Sequence, residues 1–315
     1  MTDVNFLRIV ETMRRVSTKN MMKASKESAD PEGSLLLHEE LERAIPNETV
    51  ISSLIASNPG RVSKLNDSGS NALHVASQHI KSIDPSIFLL LIETDPEICS
   101  VANKYGIIPL HKAAMNSSDL TKASSRSFKM LLATYPEGLK IANNSGQLAI
   151  HLALSTKHPT MLIVNQLIET YPESLRIQDK FGCLPLHRAA ANKKISPEII
   201  ITVLSSYRKG ASYADINGFT ALHWLACQDK PNVEVIKEFL KIFPMAVHIY
   251  DNQDRKPVDL QQVRKNPCPI TVFLLLDKQR EILNGKFDER VYESHEIFSD
   301  HSRPPTRDAT VNGDM

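Results

Sequence analysis

The chain has 315 residues, and its 37 basic and 36 acidic side chains give a formal net charge of +1. This balance shows no electrostatic footprint for nucleic acid, which proteins bind with an excess of clustered Lys and Arg. No apolar run approaches the ~18–20 residues of a membrane-spanning helix, and residues 1–15 lack the apolar core of a secretory signal. We therefore expect an intracellular protein, cytoplasmic or nuclear, that binds neither nucleic acid nor membrane.

One short pattern recurs along the chain and is centred on a histidine position. That position is filled in turn by His38, His74, His111, His151, His187, His223 and, in the last copy, Asp259. Consecutive positions are 36 to 40 residues apart, as 74−38=36 and 151−111=40 show. Self-similarity at a fixed period of about 20–50 residues predicts a solenoid of stacked repeats. A solenoid is one quasi-linear domain, so the length does not imply two domains.

Every repeat carries turn-forming residues ahead of the histidine position. Asp or Asn stands eight residues before it, and the residue five before it is Gly33, Gly69, Gly106, Gly146, Gly182 and Gly218, then Asp254 in the last copy. An Asx side chain starts a turn by accepting a hydrogen bond from a backbone amide two residues on. Glycine suits a position with φ > 0, where another residue costs roughly 1–2 kcal/mol. We expect the same tight turn in every repeat, with the glycine in a structural role.

Two helices are predicted after each turn. Proline stands two residues before the histidine position in Pro109 and Pro185, where it suits the first turn of a helix. An alanine-rich segment follows, and then a second helix such as 197–206, with Ser196 as its N-cap. The apolar stripe of this second helix is expected at Ile200, Ile201, Val203 and Leu204. Five copies place a proline fifteen residues before the next histidine position, which ends the helix. Repeat length varies only between the two helices, with the largest insertion within 116–127.

The segments 108–114 (IPLHKAA), 184–190 (LPLHRAA) and 220–223 (TALH) resemble the ankyrin repeat signature T-P-L-H-x-A. The resemblance implies an all-α fold, an ankyrin-repeat solenoid of helix–loop–helix units joined by short β-turn or hairpin-like turns. It covers about seven units over residues 30–283. The period exceeds the usual 33 or so residues, and only Thr220 keeps the consensus threonine.

The resemblance also implies a structural role for the histidines. In the family, the threonine and the histidine join hydrogen bonds that tie the turn to neighbouring repeats. Because the threonine is mostly replaced here, we expect the ring nitrogens of these histidines to bond to backbone groups. The histidines that we interpret in this way are His74, His111, His151, His187 and His223.

A row of histidines could instead suggest a metal site. Stacked helices are about 10 Å apart, whereas zinc needs nitrogens about 2.0–2.1 Å away, so neighbouring positions cannot share an ion. The four cysteines lie far apart without metal or disulfide spacing, so we expect reduced thiols. Catalytic and phosphate-binding motifs are also missing from the sequence. We expect no metal, no cofactor and no enzymatic activity.

The two ends of the sequence differ from the repeats. Residues 1–29 are predicted to hold an amphipathic helix, about 4–15, followed by a polar linker. This helix either caps the first repeat or docks on a partner. Residues 284–315 are polar and expected to be disordered. An alternative function follows, in which the terminal segments dock on an enzyme and the repeats recruit its substrate or regulate it.

The function that the resemblance implies is a monomeric, non-enzymatic scaffold that binds a protein partner. In ankyrin proteins the partner contacts the turn tips and the exposed side of the inner helix. The corresponding residues here are Lys104, Tyr105, Ile107, Met115, Asn116, Lys180, Phe181, Asn192, Ile216, Asn217, Phe219 and Gln228. Apolar side chains are unusual at turn tips, so Tyr105, Phe181, Ile216 and Phe219 are the candidate anchors. Their alternative is packing against the adjacent turn, and Trp224 is either a core residue or a further anchor.

Overall fold

The structure, a computed structural model, describes residues 35–118 and 122–284, without the side chains of residues 122 and 123. The predicted N-terminal helix at 4–15 and the first turn, with Gly33, lie outside the described residues. The C-terminal segment from residue 285 onwards lies outside them too. The boundaries at 29 and 284 therefore stay predictions.

Short helices alternate in two layers along the described chain. The inner layer holds α1 (Leu36–Glu42), α3 (Ala72–Gln78), α5 (Pro109–Met115), α7 (Ala149–Leu154), α9 (Pro185–Ala191), α11 (Ala221–Ala226) and α13 (Pro257–Gln262). The outer layer holds α2 (Glu48–Ser57), α4 (Pro85–Thr94), α6 (Lys122–Thr134), α8 (Met161–Thr170), α10 (Pro197–Ser206), α12 (Val233–Ile242) and α14 (Pro269–Leu283). Each inner helix packs against the next inner helix, and the outer helices pack likewise in the pairs α2–α4, α4–α6, α10–α12 and α12–α14.

A short 3-10 helix follows outer helices α2 to α12. These segments are Pro59–Arg61, Pro96–Cys99, Pro136–Lys140, Pro172–Arg176, Arg208–Ser212 and Pro244–His248. Five of them start at the proline that was predicted to end the outer helix, because the residue before a proline avoids the α conformation. Asn58 and Asp95, for example, are extended at φ −154° and −153°.

The fold confirms the predicted alternation of a turn and a helix pair. The extra residues of the longest repeat, however, lie in its outer helix and not only in the connection between its helices. Outer helix α6 has 13 residues, whereas α4 and α8 have 10 each. The insertion predicted within 116–127 therefore lengthens the outer helix. Ser124 and Ser127, polar by sequence, are buried in this extension.

One continuous core runs between the two layers. The inner helices contribute small and aliphatic residues such as Leu186 and Ala189, and the outer helices contribute larger ones such as Phe88 and Phe239. Helix α10 spans the predicted residues 197–206, with Ile199 buried on its stripe in place of Ile201. Because neither helix of a repeat can bury its apolar face alone, stacking is the source of stability.

Candidate functional site

The histidines hold the repeats together through both ring nitrogens. In α3, α5, α7, α9 and α11, Nδ1 accepts the backbone N–H three residues earlier, at 3.0–3.3 Å. Nε2 bonds to a carbonyl of the next repeat: His74 to Ile107 at 2.8 Å and His151 to Cys183 at 3.2 Å. A carbonyl only accepts hydrogen bonds, so Nε2 carries the proton. Each ring thus closes its own helix start and crosses to the following turn.

Burial makes these rings neutral. Loss of solvation, the main cause, lowers the pKa of each ring to about 4. The rings are those of His74, His111, His151, His187 and His223. A ring whose two nitrogens are already bonded has neither a free lone pair for a metal nor a proton to exchange. Within residues 35–118 and 122–284, no group of three or more His, Cys, Asp or Glu side chains could hold a metal ion.

The turns form a ladder along one edge of the stack. In each turn the Asx Oδ1 accepts the amides two and four residues on, as Asn103 does from Tyr105 and Ile107 at 3.0 and 3.1 Å. The backbone N–H of Asn144 then donates to the carbonyl of Tyr105 at 3.0 Å. The same bond joins Lys180 to Ser145 and Ile216 to Phe181. The tips are therefore fixed relative to one another by backbone hydrogen bonds.

Glycine is required in this ladder for two reasons. Gly106 and Gly218 have φ of 69° and 78°, in the left-handed region. A Cβ on Gly106 would lie 2.8 Å from the amide nitrogen of Asn144, and one on Gly218 would lie 2.6 Å from that of Asn252. A side chain would therefore strain the turn and push the next repeat away. The remaining glycines with positive φ are Gly69, Gly146 and Gly182.

The tip side chains divide into exposed and partly buried groups. Lys104 and Lys180 are exposed, and the side chain of Ile216 keeps 57% of its surface in solvent. Tyr105 and Phe181, one residue further along their turns, are half-buried. The guanidinium of Arg188 lies 5.8 Å from the centre of the Phe181 ring. Among the remaining candidates, Asn217, Met115 and Asn116 are half-buried.

Three of the candidate contact residues are buried, and a fourth, Asn192, is half-buried and bonded to the previous repeat. Ile107 and Phe219 are only 1% and 4% exposed, because the residue four before the histidine position points into the stack. Phe219 lies between the rings of His223 and Trp224, with both ring centres at 5.4 Å. The prediction that Ile107 and Phe219 face a partner is wrong for this reason.

Asn192, which is half-buried, and Gln228, which is buried, both bond backward to the previous repeat. Asn192 Nδ2 donates to the carbonyls of Leu154 and Thr156, both at 2.8 Å. Gln228 Nε2 donates to the carbonyl of Ala190 at 2.6 Å. These side chains satisfy the carbonyls at the ends of inner helices, which otherwise lack partners. Their assignment as contact residues is therefore corrected to a structural role.

The residue just after the histidine position was missed as a surface residue. Lys112 and Arg188 occupy it in two repeats and lie behind the turn tips. Lys112 Nζ donates to Gln78 Oε1 at 2.9 Å, and Arg188 Nε donates to the buried carboxylate of Asp179 at 3.0 Å. In the repeat of Asp215, the same position holds Trp224, which is buried and donates its indole N–H to Asp215 Oδ2 at 3.1 Å. Charge at this position, in an otherwise apolar helix, was the available sequence signal.

The sequence matches no protein-family model and no curated protein. Solved structures, in contrast, match its fold. The crystal structure of the human ASB11 ankyrin repeat domain aligns with a TM-score of 0.59 over 79% of this chain and 98% of that chain, at 18% identity. The fold is that of the ankyrin repeat.

A second ankyrin repeat structure gives the same result. The ankyrin repeat domain of Bcl-3, described as a unique member of the IkappaB protein family, aligns with a TM-score of 0.55 at 18% identity. The alignment covers 81% of this chain and all of that chain. Among the described residues of this ankyrin-repeat solenoid, no helix is long and apolar enough to cross a bilayer.

Proposed function

We propose that this ankyrin-repeat solenoid is a non-enzymatic scaffold that binds a protein partner through its turn tips and the exposed side of its inner helices. One observation carries the proposal. The hydrogen-bonded ladder of turns holds the side chains of Tyr105, Phe181 and Ile216 in a row at one edge. Ile216 leaves 57% of its surface exposed although the turn uses only its backbone. Rigid display lowers the entropic cost of binding.

The predicted contact surface changes because some of its candidate residues are buried in the stack. It keeps Lys104, Tyr105, Met115, Asn116, Lys180, Phe181, Ile216 and Asn217. It gains the half-buried Lys112 on α5, whereas Arg188 on α9 is 11% exposed and paired with Asp179, so it supports Phe181 from within the repeat. Interfaces are rich in aromatic residues and Arg relative to the rest of the surface, which fits the Phe181–Arg188 pair.

A scaffold without catalysis agrees with the chemistry of the buried groups. Both nitrogens of each of the five histidine rings form hydrogen bonds, and a pKa of about 4 leaves the rings neutral near pH 7. General acid–base catalysis needs a group that can exchange a proton near the working pH. The alternative, a recruiting or regulatory subunit that docks through its terminal segments, stays a prediction. So do the monomeric state, the lack of nucleic-acid binding and the intracellular location.

Affinity capture with matched variants tests the surface. The triple variant Tyr105→Ala, Phe181→Ala, Ile216→Ala should lose the proteins that the unmodified chain captures. Removing one central anchor costs about 2 kcal/mol or more, which is roughly 30-fold in affinity. The control is Leu89→Ala with Leu162→Ala, two side chains of the outer helices that are 46% and 45% exposed. Equal losses in both variants would contradict the proposed surface, and unchanged melting curves would show that the fold is intact.

A further inference from the structure

Two turns of the solenoid present the same basic and aromatic combination. The first consists of Lys104, Tyr105 and Lys112, and we call it station A. The second consists of Lys180, Phe181 and Arg188, and we call it station B. In both, Lys stands seven residues before the histidine position, the aromatic residue six before, and the second basic residue one after. The repeat between them has Asn144, Ser145 and Leu152 at these places.

The lysines of these stations form no ion pair within the described part of the chain, although Lys112 interacts electrostatically with Glu42. None of the ion pairs among residues 35–118 and 122–284 includes Lys104, Lys112 or Lys180. Lys104 and Lys180 are exposed at the tips, whereas Lys112 bonds to the neutral Gln78. Three lysine charges therefore lie beside two half-buried aromatic rings, whereas the charge of Arg188 at station B is balanced by its ion pair with Asp179.

The spacing of the stations sets the kind of ligand that fits both. They are two repeats apart, which is about 20 Å at roughly 10 Å for each pair of packed helices. An extended strand rises about 3.3 Å per residue, so six residues cover that distance. A suitable ligand is an extended, acidic segment with two aromatic residues six positions apart.

The chain itself contains such a segment. Residues 287–300 read FDERVYESHEIFSD, with five acidic residues and one basic residue. Tyr292 and Phe298 are six positions apart, and Glu293 and Glu296 lie between them. Eight residues join Asn284, where the described chain ends, to Tyr292. When extended, they reach about 26 Å. Station B is roughly 20 Å away along two repeats and about 10 Å away across the helix layers, which together make a direct distance of about 22 Å.

We propose that residues 287–300 bind across the stations of the same molecule, with Tyr292 at station B and Phe298 at station A. In an extended segment Glu296 lies on the same face as Tyr292 and Phe298, so its carboxylate faces the station lysines, whereas Glu293 lies on the opposite face. The inference rests on the proposed function, because it concerns the same face, and it makes the segment a competitor of the partner. Binding within one molecule benefits from a high effective concentration, so weak contacts suffice.

Zero-length carbodiimide cross-linking of the full chain, followed by mass spectrometry, tests the binding of residues 287–300 to the stations without any partner. The reagent joins a carboxylate to a lysine amine in direct contact. We expect links from Glu296 to Lys104, Lys112 or Lys180, in preference to Lys129 and Lys237 on the outer helices. The links should disappear in ~1 M salt, where the Debye length falls to about 3 Å. They should also decrease in the variant Tyr292→Ala, Phe298→Ala, which keeps every carboxylate.

Several results would overturn the proposal. The first is the lack of links from residues 287–300 to the three station lysines. Links spread equally over the outer-helix lysines, or links unaffected by the double alanine variant, would do the same. Links between heavy-isotope and normal chains in a mixture would assign the face to a second copy instead. Since the readout needs no partner, it can fail while partner capture by Tyr105, Phe181 and Ile216 succeeds, and the reverse.

Discussion

Among the turns within residues 35–118 and 122–284, those of the first half of the solenoid begin with Asn, and those of the second half begin with Asp. Asn66, Asn103 and Asn143 belong to the first group, and Asp179, Asp215 and Asp251 to the second. In all six, Oδ1 accepts the same two backbone amides, as the pairs of bonds at Asn143 and Asp179 illustrate. The turn therefore needs only one acceptor oxygen, and the second side-chain atom is free to differ.

The neighbours adapt to that second atom. Asn103 Nδ2 donates to Ser70 Oγ, and Asn143 Nδ2 to Gln147 Oε1, both at 3.2 Å. In the second half a carboxylate oxygen instead accepts from a donor: Asp179 from Arg188 at 3.0 Å and Asp251 from Arg255 at 2.8 Å. Asp215 accepts only from the neutral Trp224 indole among these donors, and burial raises its pKa. A charged turn is thus paired with a donor side chain, and a neutral turn with an acceptor side chain.

Acid should destabilise both halves of the solenoid alike, because the buried histidines are common to both. The pKa of five rings is lowered by burial from 6.5 to about 4. Stability is complete above pH 6.5 and decreases as pH falls towards 4, since the unfolded chain takes up protons first. Each pKa unit corresponds to about 1.4 kcal/mol for each ring. Circular dichroism during an acid titration should show unfolding in this window, and full stability at pH 4.5 would contradict it.

The substitution Asp179→Ala should separate the two halves most clearly. It removes the oxygen that accepts the backbone N–H groups of Phe181 and Cys183, and it leaves the guanidinium of Arg188, only 11% exposed, without its counter-charge. Breaking a buried ion pair in this way costs about 3–5 kcal/mol. Asn143→Ala, which strands no charge, should cost about 1–3 kcal/mol.

Urea unfolding measures this contrast, and a double variant controls it. Asp179→Ala together with Arg188→Leu should recover part of the loss, because no buried charge then remains unpaired. Equal losses for Asp179→Ala and Asn143→Ala would mean that charge adds nothing to these turns.

Alanine at the turn glycines should affect both halves equally. Gly146 and Gly182 have φ of 76° and 70°, and a Cβ on either would lie 2.8 or 3.0 Å from the amide nitrogen of the next turn. The positive φ alone costs roughly 1–2 kcal/mol. A clear difference between Gly146→Ala and Gly182→Ala in thermal unfolding would show that the side-chain division extends into the backbone ladder.

The smallest effect is expected at the last described turn, where Asp254 replaces glycine. Asp254 has φ of 56° and is the one non-glycine residue with positive φ within residues 35–118 and 122–284. Asp254→Gly should stabilise the chain by less than about 1 kcal/mol, because it relieves only a mild left-handed strain. A loss of stability in the same thermal assay would indicate that the aspartate side chain stabilises the turn.

The sequence predicted the backbone of this solenoid well and its surface less well. The Asx, Gly and Pro positions have fixed backbone requirements, so their spacing was enough to predict the turns and the helix pairs. Ile107 and Phe219 were misassigned because the inward direction of their side chains depends on the neighbouring repeat. Half of the six described residues at this place are apolar, namely Ile107, Cys183 and Phe219, which indicates burial in retrospect. Asn192 and Gln228 gave no such signal, since a polar side chain fits solvent and a helix end equally well.

The ladder of turns also determines how the protein would respond to a pulling force. Two kinds of hydrogen bond cross the junctions between repeats. A turn amide donates to a carbonyl of the preceding turn, as Ile216 does, and a histidine Nε2 bonds to a carbonyl of the following repeat, as that of His151 does. Tension applied between the two ends loads these junctions in series, so one repeat detaches before the next. Extension should then advance in steps of one repeat, 36 to 40 residues, or about 120–140 Å of released chain. The solenoid would lengthen under load as a series of equal links rather than break as one unit.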